Sequence, residues 1–278
     1  MIMKKVCSLL GVIAILPIVA SADIQPIADE DLGDVTGQSG ISIDLSAKVN
    51  IGELRYQDEG SIAIRDIVLG GANKSTYFGK DWGAGTYSGT NLDGVQINID
   101  VLSDGDLVIH AFAQPGWGNA VDFSLETGEW RLQKSTGVDG NTNLIDSLSM
   151  TGLGLDLRMK VDNDTQHLKI ETLFGVDDLD VEVGFLNLGI KDMTIAGTSY
   201  FESLGEYGFV GLPDIGASLK LDIYTKSTPN VTDGLAIDIV EFETDIGIGA
   251  IELGGTSIGS LYINDLKLNG TSLVIYGH

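Results

Sequence analysis

The chain has 278 residues, with 16 Lys and Arg against 40 Asp and Glu, a formal net charge of −24, and a single Cys. A polymer this acidic repels nucleic acid and anionic headgroups, and one thiol excludes a disulfide framework or a cysteine metal site. Hydrophobic residues, 43% of the chain and evenly spread, supply enough apolar surface to offset the entropy of ordering, so the charge does not signal disorder.

Residues 1–22 read as a cleavable signal peptide: Lys4 and Lys5 precede an apolar run from Val6 to Val19, and Ala20-Ser21-Ala22 places small residues at the cleavage positions. The run is shorter than the ~20 residues a bilayer span needs and is interrupted by Pro17, so no transmembrane segment is expected in the mature chain. Cleavage before Asp23 removes Cys7 and leaves 14 basic against 40 acidic side chains. Partners of such a chain are neutral, cationic or metal ions.

Residues 23–40 form an acidic segment with the one good helix signature. Pro26 suits a helix start, Asp29, Glu30 and Asp31 favour the first turn, Leu32 and Val35 share a face, and Gly37 can close it. The block from Asp29 through Val35-Thr36-Gly37-Gln38-Ser39-Gly40-Ile41-Ser42-Ile43-Asp44 resembles the opening of a group of exported proteins of Gram-negative bacteria, some of them labelled pilus-system (Fil-type) proteins. The resemblance implies a surface or extracellular structural role and carries no site residues with it. Physically, Leu32, Val35, Thr36, Gly37 and Gln38 form either a docking element read by an export or assembly partner, or a cap over the first open edge of a sheet.

Residues 41–278 alternate apolar and polar positions over many short runs, the period of a strand with one buried face, separated by Gly, Asn, Asp and Ser turns. Two elements recur. A short one (apolar, any, apolar, Asp, apolar) begins at Ile41, Ile97, Leu153, Leu219 and Leu235; a longer one occupies Ile62 to Gly71, Leu188 to Gly197 and Leu261 to Gly270. In the longer element the apolar period slips at Asp66, Asp192 and Asp265, so each Asp marks a bulge or a tight corner. The uneven spacing of the copies disfavours a strict solenoid. The expected fold is all-β: an elongated, repetitive antiparallel meander folded on itself, or an irregular β-roll, as one domain with a short N-terminal helix. A second short turn is expected at Tyr200 to Tyr207. An outer-membrane barrel fits less well, because its strands need ~10 residues of alternation and these runs are mostly shorter.

No convincing catalytic site is present. Gly255-Thr256-Ser257-Ile258-Gly259 matches a nucleophile elbow with Asp265 and His278 downstream, but a strand-like run follows Ser257 where the motif requires a helix. His110 and His167 are isolated from each other, so a transition-metal site is not expected. Asp104 with Asp106, Asp162 with Asp164, and Asp177 with Asp178 and Asp180 are candidates for weak Ca²⁺ binding through oxygen ligands; otherwise they are solvated turns, and no other cofactor is implied. Tyr77, Trp82, Tyr87 and Trp117 cluster on or near Gly-rich loops, where aromatic rings either stack on a sugar or protein surface or fold back to plug the end of a β-stack.

These features point to a non-enzymatic, exported structural or accessory protein of a cell-surface fibre or adhesive layer, self-associating or binding protein partners through strand edges. A periplasmic or outer-membrane-associated carrier of a hydrophobic ligand is the alternative, and a glycan-binding module rests on the loop tryptophans alone.

Overall fold

The computed structural model describes residues 40–81, 89–115, 120–205, 208–209 and 214–277. The expected N-terminal helix at residues 27–36 lies outside them, as does the expected signal peptide at residues 1–22. The described residues are all-β, with no helix of seven residues or more. Alternation and turn chemistry dictate this outcome: with so many β-branched residues and period-2 runs, the buried stripe of a helix is never available.

The strands are β1 (Ile41–Ala47), β2 (Val49–Gln57), β3 (Ser61–Gly70), the small hairpin β4 (Thr76–Tyr77) and β5 (Lys80–Asp81), β6 (Leu92–Val101) and β7 (Leu107–Ala113). There follow β8 (Val121–Thr127), β9 (Trp130–Gln133), β10 (Asp139–Ile145), β11 (Ser147–Asp162), β12 (His167–Val183) and β13 (Leu188–Ala196). A second small hairpin, β14 (Leu204–Gly205) and β15 (Gly208–Phe209), precedes β16 (Ala217–Thr228), β17 (Val231–Leu253) and β18 (Thr256–Ile275). Outside the two small hairpins, the described strands form one antiparallel sheet of 14 strands.

Long strands change partners midway. The first part of β11 pairs with β8 and the second with β7; β12 pairs with β16 and then β13; β17 pairs with β16 and then β13. Twelve of these strands therefore form two ladders joined along a seam, and β9 and β10 extend the sheet from β3. One runs β1-β6-β7-β11-β12-β16-β17-β18, and the other β2-β3-β8-β11-β12-β13-β17-β18. β1 and β2, separated only by Lys48, cross the seam in the same way.

The core sits along this seam. Leu153 of β11 is fully buried and clusters with Tyr77, Phe78, Ala120, Ala196, Tyr200 and Ile215, most of which come from connecting segments. Phe78 and Gly79 both take positive φ between Tyr77 and Lys80, the two-residue turn geometry that matches strand twist. Phe78 meets Tyr200 edge-on at 5.7 Å, and Phe201 bridges Tyr200 to Tyr262 at 5.3 and 5.4 Å. Burial pushes the Tyr200 hydroxyl up to about 12. The turn expected near Tyr200 is present as a 3-10 turn at Phe201–Ser203.

Aspartates pin these segments to the sheet. Asp122 accepts the Ala72 N–H at 2.8 Å and the Tyr77 hydroxyl at 3.3 Å; Asp177 accepts the Phe78 N–H and pairs with Lys74 at 2.7 Å. Asp245, buried in β17, accepts the Phe201 N–H at 3.1 Å and the Asp265 N–H at 2.7 Å. Such charge-assisted bonds to backbone donors satisfy groups that loops over a sheet otherwise leave orphaned.

The recurring Asp corners are real. Asp66, Asp192 and Asp265 all adopt left-handed φ, 51°, 52° and 52°, a conformation Asp tolerates better than branched residues. At Asp66 the pairing with β2 keeps register, so the residue is a corner; at Asp265 the pairing with β17 shifts, so it is a bulge.

Close approach at the seam requires glycine. A Cβ on Gly175 would lie 2.7 Å from the Phe78 ring, and one on Gly152 2.8 Å from the Phe123 ring. Gly175→Ala is therefore expected to destabilise by about 1–3 kcal/mol, since overpacking outweighs the smaller entropic gain from removing a glycine. Gly52→Ala, which meets nothing within 4 Å, should be near neutral. Urea unfolding of both variants checks the contrast.

Candidate functional site

The outer edges of the two ladders, one formed by β1 and β2 and the other by β18, are the sheet's most distinctive feature. Among the described residues β18 pairs only with β17, β1 only with β6, and β2 only with β3 on a single side. β18 is exposed along nearly all of its 20 residues and β2 along all 9 of its own. Both edges carry bare apolar side chains: Ile41, Ile43, Ile51, Leu54 and Tyr56 on one, Leu261, Tyr262, Leu268, Leu273 and Ile275 on the other. An edge of this kind presents a row of free N–H and C=O groups together with apolar area, which is a template for another strand.

Protection along the edges is uneven. On β2, Glu53 is clamped by Arg55 at 2.5 Å and Arg65 at 3.2 Å, which holds its carboxyl below the usual range. β1 carries one charge, Asp44, and the stretch of β18 after its bulge also carries one, Lys267.

Between the edges, alternation sorts the first ladder into an apolar and a polar face. One apolar row runs Ile43, Ile97, Ala111, Leu157, Thr172, Leu219, Phe242 and Leu268 across eight strands. Near its β1 end this face hollows into a groove of about 350 Å³ lined by Leu45, Val95, Ile97, Phe123, Leu155 and Leu157 among others. The opposite face is ionic. There His110 lies 3.0 Å from Asp156, His167 lies 2.9 Å from Asp222 and stacks on Tyr224, and Lys220 pairs with Glu241 at 2.9 Å.

The acidic clusters separate once seen in place. Asp104 and Asp106 share one end of the sheet with Asp162 and Asp164, where Asp104, Asp106 and Asp162 are engaged by the two turns and by lysines. Asp104 accepts the Asp106 N–H at 3.1 Å; Asp106 accepts the Asn163 N–H at 2.8 Å and pairs with Lys160; Asp162 accepts the Thr165 N–H at 3.0 Å and pairs with Lys169. Asp164 is exposed in that turn. These bonds hold the Asp106 and Asp162 carboxyls low, Asp106 chiefly through Lys160 and Asp162 chiefly through Thr165. Asp177 is likewise engaged by Phe78 and Lys74.

Asp178 and Asp180 stay together and are joined by Asp192, whose oxygens lie with theirs within 4.8 Å. Sequence spacing could not give that third member, because β13 brings it in from a separate strand. Asp178 Oδ1 is buried without a hydrogen-bond partner, and burial, with Asp180 nearby, pushes its carboxyl up.

The aromatic candidates divide. Tyr77 is fully buried and belongs to the core plug, which corrects its reading as a binding residue. Trp82, Tyr87 and Trp117 lie outside the described residues, as do Leu32, Val35, Thr36, Gly37 and Gln38. Ser257 opens β18 and is followed by strand, so the helix that an elbow serine needs is not there.

The fold and these edges define a class: an open-edged antiparallel β-sheet protein. Residues 1–103, which include the β1–β2 edge, match a family of unknown function (DUF6160). No curated protein and no solved structure matches the chain. No helix among the described residues is long and apolar enough to cross a membrane.

Because its carboxyl titrates above the ordinary range, ionised Asp178 opposes folding at neutral pH, and the opposition is lifted as pH falls through its folded-state titration. Asp178→Asn should raise the melting temperature at pH 7, with the gain shrinking as the pH is lowered into the carboxylate range. Thermal scans of both chains across pH check the sign.

Proposed function

We propose that the protein is an exported, non-enzymatic structural or accessory subunit of a cell-surface fibre or adhesive layer, assembled by strand-edge pairing. The observation that carries this reading is the pair of long, exposed, apolar outer edges of the two ladders, one formed by β1 and β2 and the other by β18. Natural sheets blunt such edges when they have no partner, and here β1 and the second part of β18 are left almost uncharged. Backbone hydrogen bonds then give affinity and the alternating side chains give register. In this reading the Val35-Thr36-Gly37-Gln38 block, which leads directly into β1, caps or releases that edge, and the acidic surface keeps unassembled subunits soluble.

Light scattering with negative-stain microscopy on the chain from Asp23 onward, across a concentration series, tests it. Filaments or large ordered oligomers are expected. A strictly monomeric particle at every concentration would sink the proposal.

The apolar groove beside β1 favours a second reading, a carrier of a hydrophobic ligand, because apolar pockets of this size suit a short alkyl chain. On that reading a fluorescent long-chain fatty acid binds saturably and Ala111→Phe, which fills the groove, abolishes the signal. Absence of binding by the unsubstituted chain rejects the carrier.

A further inference from the structure

We propose that the two edges are complementary to each other, so that β18 of one copy takes β1 of the next in a single register, head to tail. The inference rests on the fibre reading and specifies its joint.

Polarity comes first. The first ladder has eight strands, and every step from β1 to β18 is antiparallel. With an even number of strands, β1 and β18 run in opposite directions. A second copy brought to β18 in the same orientation as the first therefore presents its β1 antiparallel, and the alternation continues unbroken across the joint. Because the joined surfaces are different, the contact is heterologous: each copy added leaves a free edge for the next, and the contact repeats as a chain unless the rotation per copy closes a ring.

Register follows from the rows. Tracing pairs across the eight strands links Ile41 to Thr271, Ser42 to Asn269, Ile43 to Leu268 and Asp44 to Lys267. If the rows continue into the next copy, Leu268 meets Ile43 on the apolar face, and the exposed side chains of these two residues cover each other. On the polar face Lys267, already 3.7 Å from Glu243, gains Asp44 on its other side. The single charge on β1 thus meets the opposite charge nearest to it in row order, and opposite charges directly across a strand pair are favourable while like charges are not. Asn269 meets Ser42, which on its own sheet donates to Asn98 at 2.9 Å. A shift by one residue would put Ile43 and Leu268 on opposite faces, so the hydrophobic pattern fixes the register. A twofold pairing of β18 with a second β18 would not bring Asp44 to Lys267.

The test uses thiol pairs in a Cys7→Ser background, which leaves the chain otherwise free of cysteine. Chains carrying Ser42→Cys are mixed with chains carrying Asn269→Cys under mild oxidation, and light scattering is recorded on the same samples. The expected result is a disulfide-linked heterodimer, on the order of tenfold more abundant than from either chain alone, because the joint raises the effective thiol concentration. Pairing Ser42→Cys with Ser272→Cys, about 10 Å along the strand, should give little. Adding Lys267→Glu to the Asn269→Cys chain should lower the yield, and adding Asp44→Lys to its partner should restore it. Assembly by scattering without this disulfide, or a disulfide between two Asn269→Cys chains, overturns the head-to-tail joint and leaves strand-edge assembly standing. Neither assembly nor disulfide overturns both.

Discussion

The structure depends on how closely backbone can approach backbone along the seam between the two ladders. At Gly152 and Gly175, opposite faces of adjacent strands receive the Phe123 and Phe78 rings at distances where a methyl group would already collide. Because those positions are bare, residues 71–81, 197–203 and 214–216 can lie against the sheet and supply it with Tyr77, Phe78, Tyr200 and Ile215. Without them, Leu153 would lose the rings that it clusters with. Tertiary burial of rings by loops, and not the packing of one β-layer on another, makes the core.

The same seam explains where the acidity goes. A chain with 40 carboxylates would be expected to place them all in water, yet Asp122, Asp177 and Asp245 are drawn inward to hold backbone N–H groups of the core segments. Their surroundings differ from those of the outer carboxylates. Burial pushes Asp122 up, whereas Asp139, held first by Gln133 and then by Arg65, is kept low, and Glu129 is kept low chiefly by Arg131. Acid pH therefore works in opposite directions on these carboxylates, relieving Asp122 and disconnecting Asp139 and Glu129.

Much of the fold was legible in residue order. Period-2 alternation gave an all-β body, and the phase slip at Asp66, Asp192 and Asp265 marked three corners that have left-handed backbone. Strand length was not legible. Runs that read as short and interrupted are continuous in β11, β12, β17 and β18, because glycines and Asp corners bend these strands without ending them. The candidate site was harder still. Row partners such as Asp44 and Lys267 are set by seven successive strand pairings, and Asp192 joins Asp178 and Asp180 only because β13 lies beside β12. Tyr77 showed an aromatic near a Gly-rich loop, a pattern common to plugs and binding patches; only its burial and its bond to Asp122 separate the two.

The partner exchange of the long strands also has a mechanical meaning. β16 with β13 is laid between the continuous strands β12 and β17, and β7 with β8 end to end along β11, like bricks whose joints are bridged by a neighbouring course. A crack that tries to part the ladders along the seam must sever the covalent backbones of β11, β12, β17, β18 and the β1–β2 run. Pulling across the seam therefore loads peptide bonds in place of hydrogen bonds, so the ladders cannot be peeled apart there one hydrogen bond at a time.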